Sequence, residues 1–303
     1  MEDAEQLQQD LQQVYHWAIS NNMDFNTSKF ELLRYGNDQD LKNQTCYISN
    51  METEITEKQT VKDLGILMSN SGEFKDHISK VVSTVRDISA WILRSFKSRS
   101  PTLMLQLWKS MVIPHLDYCS QLWNPHSVSA IQQLEELLQR SYVRRIGGYR
   151  HMDYWDALKK LGLYSLQRRR ERYQIIYVWT ILEGISPNIM ADNGLPLITA
   201  KSTARRGRTI PLPRVKRTKY SNLRYNSLPY HGARLFNEMP NSLRSLTQIS
   251  KAKFKTCLDE NLKNFHDEPQ ILQYTSYRRA PSNSLLDMTS ASERSRTTMT
   301  RGY

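Results

Sequence analysis

Residues 74–96 read FKDHISKVVSTVRDISAWILRSF, and this stretch decides the fold class. Its large apolar residues recur every three or four positions, from Phe74 to Phe96. That spacing places them on one face of a helix rather than on alternate faces of a strand. The stretch therefore predicts a long amphipathic α-helix whose apolar face is turned toward a core.

Helical patterns continue beyond this stretch as far as Glu183. Pro101 follows Ser100, a pairing typical of the first turn of a helix, and Pro114 is expected to end or kink that helix. Further helices, closed by glycines, are predicted from the apolar spacing at 131–146, 154–160 and 165–183. We predict a helical bundle over residues 74–186.

The N-terminal part of the chain predicts one helix and a few short strands. Apolar residues at helical spacing predict a helix over 4–22, which Asn21-Asn22 would stop. Short strands are predicted at 45–49, 54–56 and 61–69. These strands are too few to form a sheet that is stable by itself.

The C-terminal part changes character twice. Residues 187–225 lose the periodicity and combine four prolines with a basic run, so we predict a mobile linker. Residues 269–303 are rich in Ser, Thr and Arg, so we predict a disordered tail. Between them, residues 226–268 predict a small helical module with a core of Leu235, Phe236 and Met239.

Composition and charge narrow the class of protein. The 303 residues include no apolar stretch near the ~20 residues that span a bilayer, so we expect no membrane segment. Cys46, Cys119 and Cys257 show no metal-binding spacing, which is typical of a reducing, intracellular compartment. Residues 1–60 contain eleven acidic and four basic residues in a chain of net charge +12. The remainder is therefore strongly basic and favours an anionic partner.

Seven segments of the chain carry a common resemblance. They are LQQDLQQVYHWAISNNMDFNTSKFELLRYG (7–36), VKDLGILMS (61–69), HISKVV (77–82), ILRSF (92–96), LMLQLWKSMVIPHLDYCSQLWNP (103–125), LYSLQRRRERYQIIYVW (163–179) and HGARLFNEMPNSLR (231–244). In this order and spacing they resemble a LINE- or jockey-like non-LTR retrotransposon reverse transcriptase, an RNA-directed DNA polymerase. The part they resemble follows the catalytic Tyr-x-Asp-Asp turn of that family.

The resemblance implies a mainly α fold with a small, incomplete α+β palm remnant. Residues 1–73 would be part of the palm, 74–186 a thumb-like helical bundle, 187–225 the basic linker and 226–268 the C-terminal helical module. The turn that supplies the catalytic carboxylates has no match in the chain, so Mg²⁺ would belong to that missing palm segment. We expect no cofactor and no polymerase activity from this chain alone.

The resemblance also assigns roles to three palm residues. Lys29 lies in a segment similar to motif D, where a lysine helps to protonate the departing pyrophosphate. Without bound metal this role would be vestigial, and an ordinary solvated lysine is the alternative. Leu64 and Gly65 lie in a segment similar to motif E, the hairpin that grips the primer end.

A run of arginines at the start of a predicted helix is a candidate nucleic-acid contact. The planar guanidinium fork suits phosphate oxygens, so this run is typical of a phosphate-binding surface. The alternative is a solvated face that pairs with neighbouring acids such as Glu171, Asp153, Asp156 or Glu183. The run consists of Arg168, Arg169, Arg170 and Arg172.

Two further basic groups are candidates. The basic residues of the linker have no acidic neighbours, so their charge suits contact with a nucleic-acid backbone. A nuclear import signal or a solubilising role is the alternative. These residues are Arg205, Arg206, Arg208, Lys216 and Arg217. A third group of candidate nucleic-acid contacts lies beside Gly147-Gly148. The alternative is that these arginines only flank the buried face of their helix. The group comprises Arg140, Arg144, Arg145 and Arg150. The histidines show no metal-ligand spacing, and no metal site is predicted.

These features predict a reverse-transcriptase fragment that retains binding of RNA, DNA or an RNA–DNA hybrid. One alternative is a non-catalytic scaffold with a protein partner at the exposed palm edge. Another is an unselected remnant of a retroelement. Nucleic-acid binding would depend strongly on salt, whereas a protein contact would not.

Overall fold

The computed structural model describes residues 2–36, 47–48, 54–188, 197–203, 207–215, 221–268 and 283–287. The chain forms two compact units, Met1–His77 and Ile78–Tyr303. Helices account for most of the described residues, and the strands form two small antiparallel hairpins. The prediction of a mainly α protein is therefore confirmed. No helix in the described ranges combines the length and the apolar character that crossing a membrane requires.

The first unit opens with helix α1, Glu2–Ser20, where a helix over 4–22 was predicted. The helix gives way to a turn in which Asn22 has a left-handed backbone, with φ of 52°. Tyr15 is buried, and its ring meets those of Phe25 and Phe30 edge-on at centroid distances of 5.5 and 5.7 Å. This aromatic cluster holds α1 against the segment that follows it.

A tight hairpin follows in the same unit. Strands β1, Thr60–Asp63, and β2, Ile66–Ser69, pair antiparallel, so that Leu64 and Gly65 form a two-residue loop. Both loop residues have positive φ, 45° and 89° respectively. Loops of this kind match the natural twist of paired strands, which is why the segment 61–69 folds back instead of forming the single strand that was predicted.

Where the structure describes the other two strands predicted in the first unit, it shows only single bridges. Ile48 and Glu54 form an antiparallel bridge, and Leu32 and Glu57 form a parallel one. Residues 49–53 lie outside the described residues, as do 37–46. Neither bridge is long enough to count as a strand.

Helix α2, Lys75–Ser95, corresponds to the long helix predicted from 74–96. The next helical stretch is continuous and consists of α3, Pro101–Leu107, a π-helical turn, Trp108–Val112, and α4, Ile113–Asp117. Pro114 has no N–H group for the carbonyl one turn earlier. A widened π-turn directly before the proline accommodates this loss, so the helix is irregular here but does not end.

Three of the remaining helices of the predicted bundle begin at serine or aspartate caps. Ser127, Asp153 and Ser165 each accept backbone N–H groups of the first turn, which satisfies donors that the helix itself leaves open. The remaining helices and their π-helical interruption are α5, Ser120–Trp123; α6, Val128–Leu134; the π-turn Glu135–Arg140; α7, Ser141–Val143; α8, Tyr154–Leu161; and α9, Leu166–Leu182.

The region predicted as a mobile linker contains regular structure where it is described. Strands β3, Lys201–Thr203, and β4, Gly207–Thr209, pair antiparallel. The helical elements that follow are α10, Ser221–Asn226; the π-turn Leu228–Gly232; α11, Ala233–Glu238; α12, Asn241–Arg244; and α13, Lys251–Leu262.

One core joins α9 to the predicted C-terminal module. Trp179 of α9 stacks on Phe254 of α13 with a centroid distance of 4.4 Å and an interplanar angle of 8°. Leu235 and Phe236 of α11 are buried in the same core, together with apolar residues of α9. Residues 226–268 therefore share a hydrophobic core with α9.

A short segment of the predicted disordered tail is also part of this core. Leu285 and Leu286 are buried, and residues 285–287 form a single helical turn. The disorder predicted for 269–303 is therefore wrong for residues 283–287, because two leucines fill space beside α9. Residues 269–282 and 288–303 lie outside the described residues.

Candidate anion-binding cleft

A cleft of about 730 Å³ in the second unit is lined by arginines. Arg99 comes from the connection between α2 and α3, whereas the other residues come from the turn after α7. The walls of this arginine cleft are Arg99, Arg144, Arg145, Arg150 and His151, around the turn Ile146-Gly147-Gly148. Three of these arginines belong to the third basic cluster predicted from the sequence.

The turn after α7 is anchored on α3 by Tyr142. The Tyr142 hydroxyl donates to the carbonyl oxygen of Met104 at 2.9 Å, and both residues are buried. The Tyr142 ring also lies 4.6 Å from that of Trp108. Burial raises the pKa of Tyr142 to about 12, so its hydroxyl keeps its proton and remains a donor. Arg144 and Arg145 therefore project from a fixed position.

Gly147 brings the two walls of the cleft together. Its N–H donates to the carbonyl oxygen of Arg99 at 2.7 Å. A Cβ atom at this position would lie only 3.0 Å from the same oxygen, tighter than ordinary contact. Glycine is therefore the residue that allows this close backbone approach.

Arg99 is fixed by the end of α2. Its guanidinium donates to the carbonyl oxygens of Phe96 and, at 2.6 Å, of Leu93. These carbonyls belong to the last turn of α2 and its continuation, where helix carbonyls have no N–H partner and a positive charge is favourable. The side chain thus closes the helix end and keeps a cation at the wall of the cleft.

The other cationic walls are exposed. Among the described residues, Arg144, Arg145 and Arg150 have no carboxylate within ion-pair distance, and His151 is also exposed. No acidic residue lines the cleft, and the sequence from 141 to 152 contains none. A concave surface with several uncompensated charges of one sign concentrates ions of the opposite sign. The arrangement is suited to holding an anion.

Arg140, the remaining member of the third cluster, is engaged elsewhere. Its guanidinium donates to Glu136 at 2.7 Å and lies 4.7 Å from the centre of the Tyr154 ring. It is thus an internal contact one turn away from the cleft. The structure separates it from the three arginines with which the sequence grouped it.

The arginine run on α9 is placed very differently. Arg169 makes a bidentate contact with Asp117, with distances of 2.9 and 2.7 Å, and Arg172 donates to Asp259 at 2.7 Å. Both arginines thereby join α9 to helical elements far away in the sequence. The pairing alternative describes them better than phosphate binding, although the acids are not those that the sequence suggested.

The other two arginines of this run are buried. Arg168 donates to the carbonyl oxygens of His266 at 3.1 Å and Asn283 at 2.9 Å. Arg170 donates to the side-chain oxygen of Asn124 at 3.1 Å, and burial lowers its pKa to about 10. In this arrangement neither guanidinium can reach a phosphate in solvent. For these arginines the contacts therefore favour internal pairing over the phosphate contact that was the other interpretation of the sequence.

Glu171, within the same run, receives the C-terminal segment. One carboxylate oxygen accepts the Ser284 hydroxyl at 2.5 Å, and the other accepts the backbone N–H of Leu285 at 2.9 Å. Burial raises the pKa of Glu171 to about 7, against the effect of these two donors. Arg168 and Glu171 together form the socket that holds residues 283–287.

The basic linker contributes one described site residue. Arg208 in β4 donates to Glu183 at 2.6 Å and to the carbonyl oxygen of Leu182 at 3.0 Å, so it too is held internally. The other four linker candidates, Arg205, Arg206, Lys216 and Arg217, lie outside the described residues. Their contact with nucleic acid stays a prediction.

The palm candidates belong to the first unit. Lys29 is exposed in the 3₁₀ turn Thr27–Lys29, and Leu64 and Gly65 form the loop of the β1–β2 hairpin. Their roles in proton transfer and primer binding stay predictions. Within the described part of the chain, no group of three or more His, Cys, Asp or Glu side chains is arranged to hold a metal ion.

Arg99 and His151 are the cleft residues that the sequence reasoning missed. A signal for them was present, because the sequence contains no acid from 88 to 116 or from 141 to 152. Two acid-free stretches that meet in space produce an uncompensated positive surface. The contact between Gly147 and Arg99, which brings them together, is not visible in the sequence.

Comparison of the chain with protein-family models, curated proteins and solved structures gives no match.

Proposed function

We propose that this chain binds the sugar–phosphate backbone of RNA or DNA through the arginine cleft. The observation that carries the proposal is the cleft itself, with four arginines and a histidine around a concavity that no acid lines. Arginine donors match phosphate oxygens bidentately, which makes such a wall suited to phosphates. Backbone contacts of this kind are independent of base sequence.

A polyanion suits this surface better than a small anion. The cleft is open, and its cationic side chains are spread along two segments of the chain instead of converging on one point. The chain as a whole carries +12, although its first 60 residues are acidic. A strand with regularly spaced phosphates can engage several of these cations at once. Each contact releases about one counterion from the nucleic acid.

The proposal includes an ancestry in the non-LTR reverse transcriptases, without polymerase activity in the chain alone. The sequence segments that resemble this family support it, and the hairpin loop at Leu64-Gly65 is compatible with the motif E assignment. The chain contains no Tyr-x-Asp-Asp turn. Extension of a primer on an RNA template by the purified chain, with Mg²⁺ or Mn²⁺, would overturn this part of the proposal.

The binding proposal is tested by fluorescence anisotropy with a labelled RNA–DNA hybrid at several salt concentrations. We expect log Kd to change linearly with log salt, as counterion release requires. The double variant Arg144→Glu/Arg145→Glu should bind at least about tenfold more weakly and lower the magnitude of the salt slope by roughly two.

The matched control is Lys251→Glu/Lys253→Glu in the first turn of α13. Both lysines are exposed, and the change in net charge is the same as in the cleft variant. Acidic residues are favourable at this end of a helix, so the fold should tolerate them. An equal loss of affinity in both variants would show that net charge alone drives binding. Binding of a protein partner with little salt dependence, and no affinity for nucleic acid, would favour the scaffold alternative.

A further inference from the structure

Trp91 is a large aromatic side chain that the fold leaves half exposed. It lies on α2 with 46% of its surface accessible, and its ring meets that of Phe96 edge-on at 6.2 Å. The contact with Phe96 limits the positions of the indole ring but leaves one side of the pair open. Tryptophan offers a large, rigid aromatic surface, and the fold leaves about half of it uncovered at this position.

Two successive contacts connect Trp91 to the arginine cleft. The Trp91 ring meets the Phe96 ring, and the Phe96 carbonyl oxygen accepts the guanidinium of Arg99, a wall of the cleft. Between them, Arg94 and Lys97 are exposed, and the sequence contains no acid from 88 to 116. An aromatic platform therefore adjoins a positively charged groove, the combination that binds single-stranded nucleic acids.

We propose that Trp91 stacks on an unpaired base of a strand whose phosphates lie in the arginine cleft. The ligand of this site is then a nucleic acid with unpaired nucleotides, either a single strand or the junction of a strand and a duplex. This inference rests on the proposed function, because the cleft supplies the phosphate contacts. It goes beyond that function by naming the form of nucleic acid that is preferred.

The physical basis of the preference is the accessibility of base faces. In a continuous duplex each base is stacked between its neighbours, and exposing one face costs a few kcal/mol. In a single strand the face is available, and every base has one, so stacking adds affinity without selecting a sequence. The surrounding cations also make a nucleotide a better occupant than an apolar protein side chain. The phosphate of the nucleotide can neutralise Arg94 and Lys97, whereas an apolar side chain would bury them unpaired.

The test compares two ligands on the full-length chain by fluorescence anisotropy. One is a labelled single-stranded RNA, and the other is the same strand in a perfect duplex. We expect Trp91→Ala to weaken single-strand binding by about 5- to 100-fold and duplex binding by less than about twofold. Trp91→Phe keeps an aromatic face and should recover most of the single-strand affinity. Trp17→Ala, at another exposed tryptophan on α1, should change neither ligand.

The outcomes separate this inference from the proposed function. Absence of salt-dependent binding, or no effect of Arg144→Glu/Arg145→Glu, overturns the proposed function itself. Salt-dependent, cleft-dependent binding in which Trp91→Ala leaves the ratio of single-strand to duplex affinity unchanged overturns only the role of Trp91. A Trp91→Phe variant as weak as Trp91→Ala, with an unchanged unfolding midpoint, also contradicts stacking, since any aromatic ring supplies a stacking face.

Discussion

Two groups of arginines in the second unit show how differently the same side chain is used. The α9 group, Arg168 to Arg172, is buried or half-buried and held by internal acids and carbonyls. The cleft residues Arg144, Arg145 and Arg150 are exposed, with no acid among the cleft walls. In the sequence the α9 group is the more conspicuous. The density of arginines therefore does not indicate that they are available to a ligand, whereas the absence of acidic residues around them does.

The α9 group has a structural reason to be paired. Cations at the start of a helix oppose its macrodipole, and burial adds a desolvation cost. Asp117, Asp259 and Asp267 approach from other elements and offset both effects. The cleft arginines follow the end of α7, where a positive charge is favourable, and they remain in water. They therefore need no acidic partner.

The largest difference between the two groups is expected when one arginine is removed from each. Arg168→Met should lower the free energy of unfolding by roughly 3 to 5 kcal/mol, because it leaves Asp267 without its buried cation and removes a donor from two carbonyls. Arg145→Met, at an exposed site, should change it by less than about 0.5 kcal/mol. Urea denaturation measures both. Similar losses in the two variants would contradict the division into structural and binding arginines.

The stability of the protein should depend on pH through Glu171 in the α9 group. The pKa of Glu171 is about 7 in the fold, above its ordinary value, so its stabilising contribution is full below about pH 4.5 and is lost as the pH rises through 7. Glu171→Gln mimics the protonated carboxyl and should remove this loss. Between pH 5 and pH 8 the wild type should lose on the order of 2 kcal/mol relative to the variant. Parallel stability curves for the two proteins would refute the raised pKa.

Gly147 tests the geometry of the cleft. Gly147→Ala places a Cβ against the carbonyl oxygen of Arg99, so the two walls must separate by a few tenths of an ångström. We expect a destabilisation of about 1 to 2 kcal/mol. Nucleic-acid affinity should also fall, since the spacing of Arg99 and Arg144 changes. Thermal unfolding and anisotropy measure the two effects, and unchanged affinity in a destabilised variant would mean that this spacing is not important for binding.

The smallest expected effect on stability comes from replacing an arginine, whose planar guanidinium can make two hydrogen bonds to one carboxylate, with a lysine. Arg169→Lys keeps the charge but loses the bidentate contact with Asp117, so the unfolding free energy should fall by about 0.5 to 1 kcal/mol. Arg144→Lys should leave stability unchanged within about 0.5 kcal/mol. Chemical denaturation of the two single variants, run side by side, checks this. A larger loss at position 144 would reveal an internal role for that arginine.

The helices of this protein could be predicted from local sequence because their causes are local. Apolar spacing predicts α2, and Gly162, with a left-handed backbone, ends α8 as expected. The hairpin loop at Leu64-Gly65 was predicted only through the motif E resemblance, since the apolar pattern alone predicted one strand. Its cause is a pair of residues with positive φ, which a periodicity argument does not detect.

The core and the cleft could not be predicted in the same way because they depend on distant pairs. Trp179 and Phe254 stack across 75 positions of sequence. Gly147 meets Arg99 across 48 positions, and that contact decides which arginines share a cleft. The tail was predicted to be disordered from its composition, yet two leucines between polar residues are sufficient to complete a core.

The socket for residues 283–287 has a consequence for synthesis. Glu171 and Ser284 are 113 residues apart, so a ribosome adding about 5 to 20 residues per second delivers the second partner roughly 6 to 23 s after the first. During that interval α9 carries Arg168 and Glu171, which are buried in the finished fold, without their partners in residues 283–287. The apolar surface beside them is also incomplete. Folding of the second unit can therefore finish only after translation has passed residue 287, and an interrupted chain would be a natural substrate for chaperones and proteases.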